Sequence, residues 1–339
     1  MTAILRHALA LALLASLSGA AIAQAPPKAD EAGARIDLQA QPIAAFDRRD
    51  PERREFGALL FRGGIELVSN YQGFGGISAI RVNADGKGFL AVSDRGRWLR
   101  GRIVYASARP AGIADAEMAP ILGWDGKPLA LRGWFDTESL AEDGGTLYVG
   151  IERVNQIVRF DYGKDGFLAR AEPIPVPPEV KSLPYNKGLE AMVFVPREMP
   201  LGGTLIAISE RGLDDRGNIR AFLIGGPNPG NFAFTRSNDF DITDAAVTPA
   251  QELLILERSF SLLRGPAMRI RRFALSAIIP GAVLEGSVVF EADRNYQIDN
   301  MEGLAVHRSP EGETVLTLIS DDNFNPLQRT LLLQFTLAR

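Results

Sequence analysis

A near-repeat of 52 to 60 residues runs through the chain, and it leaves few folds open. Five times a short apolar strand opens on a carboxylate or hydroxyl: Ser78 in GISAI, Glu138 in TESLA, Glu190 in GLEAM, Asp244 in TDAAV and Glu302 in MEGLA. Between 13 and 20 residues later a second apolar strand closes on an acid. The closings are Asp94-Arg95, Glu152-Arg153, Glu210-Arg211, Glu257-Arg258 and Asp321-Asp322. Successive openings are 60, 52, 54 and 58 residues apart. A period of that length built from strand hairpins predicts an all-β fold, a β-propeller with five visible four-stranded blades.

The segments between these landmarks agree. From Ala58 onward, short runs of Val, Ile, Leu and Phe alternate with Gly, Asn, Pro and Asp-Gly, the pattern of strands and turns. Asp85-Gly86, Asp143-Gly144-Gly145 and Gly202-Gly203 fall between opening and closing strands, where tight hairpins need them. Units one to four each add two further strands, but unit five adds only LLLQFTLAR. Its missing strand is assigned to LLFRGGIELVS near the N-terminus, which closes the ring and removes exposed edges. A sixth, degenerate blade built from residues 24–56 and 97–135 remains open.

The ends and composition set further bounds. Residues 1–23 read as a signal peptide: Arg6 and His7, an apolar run from Leu9 to Leu17, then Ala21-Ile22-Ala23 as a cleavage site. Residues 24–56 read as a mobile leader with one edge strand, and 57–339 as a single propeller domain. The protein is expected in the periplasm or secreted, not membrane-spanning, and monomeric. The formal charge is −4, and loss of Arg6 with no acid makes it −5, which argues against nucleic acid as partner. With no cysteine, disulfides, zinc–thiolate sites and thiol nucleophiles are excluded. Once His7 leaves, His307 is the one imidazole, no G-x-S-x-G elbow is present, and a conventional Ser–His–Asp triad is not expected.

In a propeller the first strand of each blade lines the central channel and the second runs antiparallel to it. Starts of first strands and ends of second strands therefore share one face, so the opening and closing residues are expected around one channel mouth. Such an acid ring needs Arg partners, shared protons or a cation. Oxygen-only donors point to Ca²⁺. Asp94, Glu138, Glu190, Glu210, Glu302, Asp321 and Asp322 are the candidate ligands. The unit-five loops around Glu302 and Asp321 carry the least Arg. Glu190, Glu302 and Asp321 are the candidate catalytic carboxyls, and Arg95, Arg211, Arg258 and Asn323 the candidate substrate-binding groups. His307, five residues past Glu302 on a strand, is expected roughly 17 Å away as a surface or capping residue. Arg269, Arg271 and Arg272 read as a solvated outer face. Trp98, Trp124 and Trp134 read as blade packing in preference to a lip over the site.

The strings DNMEGLAV and LTLISDDNFNPLQRTLLLQF, with GISAIRVNADGKGFLAVSDRG and NKGLEAMVFVP, resemble the bacterial family called esterase-like activity of phytase. The resemblance runs from about Leu60 to the C-terminus. It implies an exported β-propeller hydrolysing esters or phosphoesters, with the acid and Asn cluster of units three and five as its site. Propeller phytases proper use several Ca²⁺ ions; the absence of a Lys-rich phosphate cradle here counts against phytate. Three functions follow as expectations: a Ca²⁺-assisted hydrolase of a small anionic ester or phosphoester, a non-enzymatic ligand- or protein-binding propeller latched by Arg–carboxylate pairs, or a lactonase-like sugar hydrolase.

Overall fold

The computed structural model describes residues 33–338; the expected signal peptide lies outside the described residues. Five sheets stand around an axis, one per sequence repeat, antiparallel except where Val283–Leu284 adds a parallel edge to blade three. Their channel-lining strands are Ile77–Val82, Thr137–Asp143, Leu189–Phe194, Asp241–Val247 and Asn300–Arg308, in blades one to five. Each lining strand is followed outward by the next strands in sequence, the one excursion being Val283–Leu284, which joins the edge of blade three between the third and fourth strands of blade four. Blade five is completed by Leu59–Val68, which pairs antiparallel with the C-terminal strand Thr330–Leu337. That is the expected closure, and no sixth blade is present among the described residues.

The apolar residues explain why the blades stack. Side chains alternate between the two faces of a strand, and each face of a blade meets a different neighbour. The buried apolar residues accordingly fall into five clusters, one in each interface between adjacent blades. Trp98 is fully buried between blades one and two, edge-on to Phe160 at 5.2 Å. Trp124 instead lies on the surface, 45% exposed, against Trp134. So the packing reading holds for Trp98 and not for Trp124.

The segment expected as a mobile leader differs from residue 33 onward. Ala34–Arg35 adds an edge to the outer strand of blade one, and Gln39–Ile43 adds one to blade five. Phe46 and Phe56 are fully buried between blades four and five, with ring centroids 5.1 Å apart and Phe46 5.0 Å from Phe335. Two buried aromatic rings outweigh the chain entropy that the charged sequence around them would favour.

Arg81 crosses the axis. It leaves the lining strand of blade one and donates to Met192 O of blade three at 2.7 Å and Leu304 O of blade five at 3.1 Å. It also donates to both carboxylate oxygens of Asp244 of blade four, at 2.8 and 3.0 Å. Asp244 is fully buried and further accepts the Leu304 and Ala245 amides at 2.8 Å each. This fork ties four blades together on the channel floor. Removing one member leaves the other charge buried alone, which costs about 3–5 kcal/mol. Arg81→Ala is therefore expected to lower urea-unfolding stability by that amount, with Arg81→Met/Asp244→Leu recovering most of it. A loss below about 1 kcal/mol in the single variant would show that the fork is not a tie.

Candidate functional site

Each lining strand carries one β-bulge near its start, seen as a one-residue register shift against the second strand. The extra residues are Ser78, Glu138, Glu190, Thr243 and Glu302. A bulge turns its extra residue out of the ladder, here toward the channel mouth. The second strands deliver Asp94, Glu152, Glu210, Arg258 and Asp321 to the same level. The mouth thus gathers seven carboxyl groups, one guanidinium and two hydroxyls.

Blade four departs from the sequence expectation by one residue. Its bulge falls on Thr243, so Asp244 takes the next position, occupied by Ala79, Ser139, Ala191 and Gly303 in the other blades. A carboxylate at that small-residue position points to the floor and meets Arg81. The closing position likewise belongs to Arg258, and Glu257 turns away from the channel. Glu257 is fully buried, with Arg269 Nε at 2.7 Å and Arg271 Nη2 at 2.6 Å. Arg269 and Arg271, expected on a solvated face, are each 3% exposed; only Arg272 is on the surface.

Charge is unevenly balanced around the ring. Arg258 lies 3.1 Å from Glu302 and 3.5 Å from Glu210, and donates to Asn300 Oδ1 at 2.7 Å. Asn300 in turn donates to Glu302 at 2.8 Å, and Lys187 reaches Glu210 at 2.6 Å. The Gly188 amide donates to Glu152 at 2.7 Å. The arc from blade five to blade two has less support. Asp94 Oδ1 is buried with no hydrogen-bond partner. Gly76, at φ 62°, lets the chain pass so close to Asp94 that a Cβ there would sit 2.2 Å from that oxygen.

The carboxyls respond as crowded, desolvated acids do. Burial first, then the charge of Asp321, pushes Asp94 up to about 8. Burial lifts Glu302 to about 8 even with Arg258 beside it. Asp321 and Glu152 rise to about 7, also by burial. Glu138 and Glu190 are pushed well above the usual carboxyl range by burial and by each other's neighbours in the ring. Asp136, which the sequence reading did not single out, is raised by burial beside them.

The remaining candidates are more peripheral. Arg95 lies over the Phe324 ring at 3.2 Å. Arg211 Nε donates to Asp241 at 2.9 Å, an acid it shares with Arg236. Asp322 accepts the Gly76 and Phe324 amides at 3.1 and 3.0 Å and serves as a loop clasp. Asn323 is exposed, and its amide donates to Asp321 Oδ1 at 2.7 Å. His307 lies at the far end of its strand, as expected, but it is 9% exposed and held under Gly86. Burial depresses it to about 4, so it is neutral at physiological pH.

Acids whose folded pKa is raised oppose the usual trend of stability with pH. Their unfolded values lie near 4, so the folded state binds extra protons between about 4 and 8. Their contribution is fully present below pH 4 and is lost as pH rises through 7 and 8, the values of Asp321, Glu152, Asp94 and Glu302. The melting midpoint is expected to fall by roughly 5 °C or more between pH 5 and pH 8.5, with a shallower fall in Glu302→Gln. A midpoint that rises across this interval would contradict the ring's electrostatics.

Comparison with known proteins adds a family. No curated protein matches the chain. Among solved structures, the glutaminyl cyclase of Myxococcus xanthus shares 10% identity, with 91% of this chain and 97% of that one covered and a TM-score of 0.40. The tail fibre of Staphylococcus aureus phage P68 shares 9% identity over 89% of this chain and 53% of that one, with a TM-score of 0.41. The family described as esterase-like activity of phytase matches residues 72–324, from the approach to the first bulge to the loop after the last acid. With most of its length and the lining and second strands of all five blades inside that match, the chain belongs to the phytase-like family.

Proposed function

We propose that the acid-lined mouth is the active site of an exported hydrolase acting on a small ester or phosphoester. What carries the reading is the coexistence of carboxyl groups near 7 and near 8 in one ring, beside Arg258. Near neutral pH such a pair holds one base and one acid, which is what ester hydrolysis needs. Asp321 takes a proton from the attacking water, and protonated Glu302 donates one to the departing alkoxide; the products are an acid and an alcohol. Glu190, held protonated, donates a hydrogen bond to the reacting oxygen. Arg258 keeps Glu302 oriented, and Arg95, Arg211 and Asn323 meet the substrate from the rim.

Calcium fits the ring in donor chemistry. All candidate ligands are oxygens, and the unpartnered Asp94 Oδ1 is a donor site in need of a cation or proton. In arrangement, no three described acids yet converge as a metal-holding group, so binding would have to draw Asp94, Glu138 and Asp321 together. When bound, the ion would polarise the scissile group and offset the ring's charge. Charge also separates the two substrate classes. A phosphoester brings anionic oxygens toward seven carboxyls and so depends on the cation, whereas a neutral ester does not.

A second reading, a non-catalytic binding propeller, is favoured by one observation: Arg258 and Lys187 already latch Glu302 and Glu210. No described helix is long and apolar enough to cross a membrane, and the N-terminal pattern leads us to place the protein in the periplasm or outside the cell, as a monomer. The test is turnover of p-nitrophenyl acetate, p-nitrophenyl phosphate and a sugar lactone, each with Ca²⁺ and with chelator. Acetate turnover is expected under both conditions and phosphate turnover only with Ca²⁺. Glu302→Gln and Asp321→Asn should each lower kcat by about 10²-fold or more. Absence of turnover on all three substrates would favour the binding propeller.

A further inference from the structure

Blade three is widened by a detour from its neighbour. After the third strand of blade four, Gly265–Ala274, the chain crosses back and lays Val283–Leu284 parallel against Gly230–Phe234. Only then does it make the fourth strand, Ser287–Ala292. The detour is held by the backbone. The Gly281 amide donates to Asn231 O at 2.7 Å, and the Ala233 and Thr235 amides donate to Ala282 O and Leu284 O at 2.9 Å each. Pro280 packs so closely on Gly230 that a Cβ there would lie 3.0 Å from it. Blade four gains no strand from this excursion; blade three gains a wall.

Beside that wall is a cavity of about 330 Å³, at the small end of the range for ligand sites. Register decides which side chains face it. Arg220, on the third strand of blade three, lies opposite Ala233, which lies beside Val283. Phe222 lies opposite Asn231. Paired residues and their i, i+2 neighbours share a face, so these five stand on one side of blade three. It is the side turned toward blade two, where Phe222 packs. Glu179, on the four-residue helix Pro178–Lys181, and Asp214 complete the lining.

Its charges set this cavity apart. Among the described residues, the half-buried Arg220 makes no ion pair or side-chain hydrogen bond, and neither does the exposed Glu179 side chain. Asp214 is already engaged: its carboxylate accepts the Arg216 and Asn218 amides at 2.9 and 2.8 Å and Asn218 Nδ2 at 2.9 Å. The cavity therefore presents a cation and an anion that do not pair with each other, next to the apolar surface of Ala233, Val283 and Phe222. A ligand with one charge satisfies one of them and is repelled by the other. A zwitterion bridges both, its carboxylate on the guanidinium fork and its ammonium on the carboxylate.

We propose that this cavity binds a free α-amino acid with an apolar side chain. Arg220 receives the carboxylate, Glu179 the ammonium, and Val283, Ala233 and Phe222 the side chain. The site is built on the outer strands of blade three, away from the lining strands, and is independent of the hydrolase reading of the mouth.

The test titrates the full chain with L-phenylalanine, hydrocinnamate (no ammonium) and phenethylamine (no carboxylate), reading binding by saturation-transfer NMR. L-Phenylalanine is expected to bind with a Kd on the order of 1 mM. Each analogue should bind about 10-fold more weakly or worse. Arg220→Gln and Glu179→Gln should each weaken L-phenylalanine about 10-fold, whereas Glu179→Gln should not weaken hydrocinnamate. That split separates ammonium recognition from a general disturbance of the cavity. The proposal is overturned by no saturable binding of L-phenylalanine, by equal binding of either analogue, or by binding that neither variant weakens. A Glu179→Gln variant that weakens L-phenylalanine and hydrocinnamate alike also overturns it.

Discussion

The organisation of this molecule follows from one backbone irregularity repeated in every blade. A bulge in an inner strand turns one side chain out of the ladder, toward the mouth, without ending the pairing below it. Below the bulge, regular alternation feeds the apolar clusters between blades. At the bulge, five side chains are committed to one small annulus, and three of them are glutamates. Second strands add four more acids at the same height. The crowding that makes the annulus chemically interesting is thus a by-product of register.

Crowded acids in a desolvated rim must be offset, and the molecule uses different means around the circle. Blade four supplies the correction: where its neighbours carry acids, it presents Thr243 and Arg258, and Arg258 serves Glu302 and Glu210 together. On the floor, the Arg81–Asp244 fork neutralises itself and joins the blades. Asp94 and Asp321 feel Arg95 and Arg258 too weakly to offset their burial, and with Glu138 they are raised far enough to hold protons toward neutral pH. The side of the ring with least compensation is where catalysis or cation binding has most to gain.

Much of this was legible in the sequence, because period, hairpin turns and strand direction are all local signals. The five blades, the strand exchange between Leu59–Val68 and the C-terminus, and the gathering of Asp94, Glu138, Glu190, Glu210, Glu302 and Asp321 follow from them. What misled was blade four, where TDAAV and ILERS match the repeat by residue type but sit one position out of register. The small residue after each opening, Ala79, Ser139, Ala191 and Gly303, was the signal that could have fixed it. Arg81 was invisible because its partners come from blades three, four and five, more than 100 residues away. Phe46 and Phe56 were hidden by their charged neighbours, and only the tertiary pocket that receives them reveals their role.

The central claim is that burial in the mouth, with the crowding of bulge and second-strand acids second to it, keeps several carboxyls protonated near neutral pH. It is tested most directly by ¹³C NMR titration of the side-chain carboxyl carbons in uniformly labelled protein. Four groups, Asp94, Glu152, Glu302 and Asp321, are predicted to titrate with midpoints between about 7 and 8. Finding that all aspartates and glutamates titrate near 4 would contradict the account.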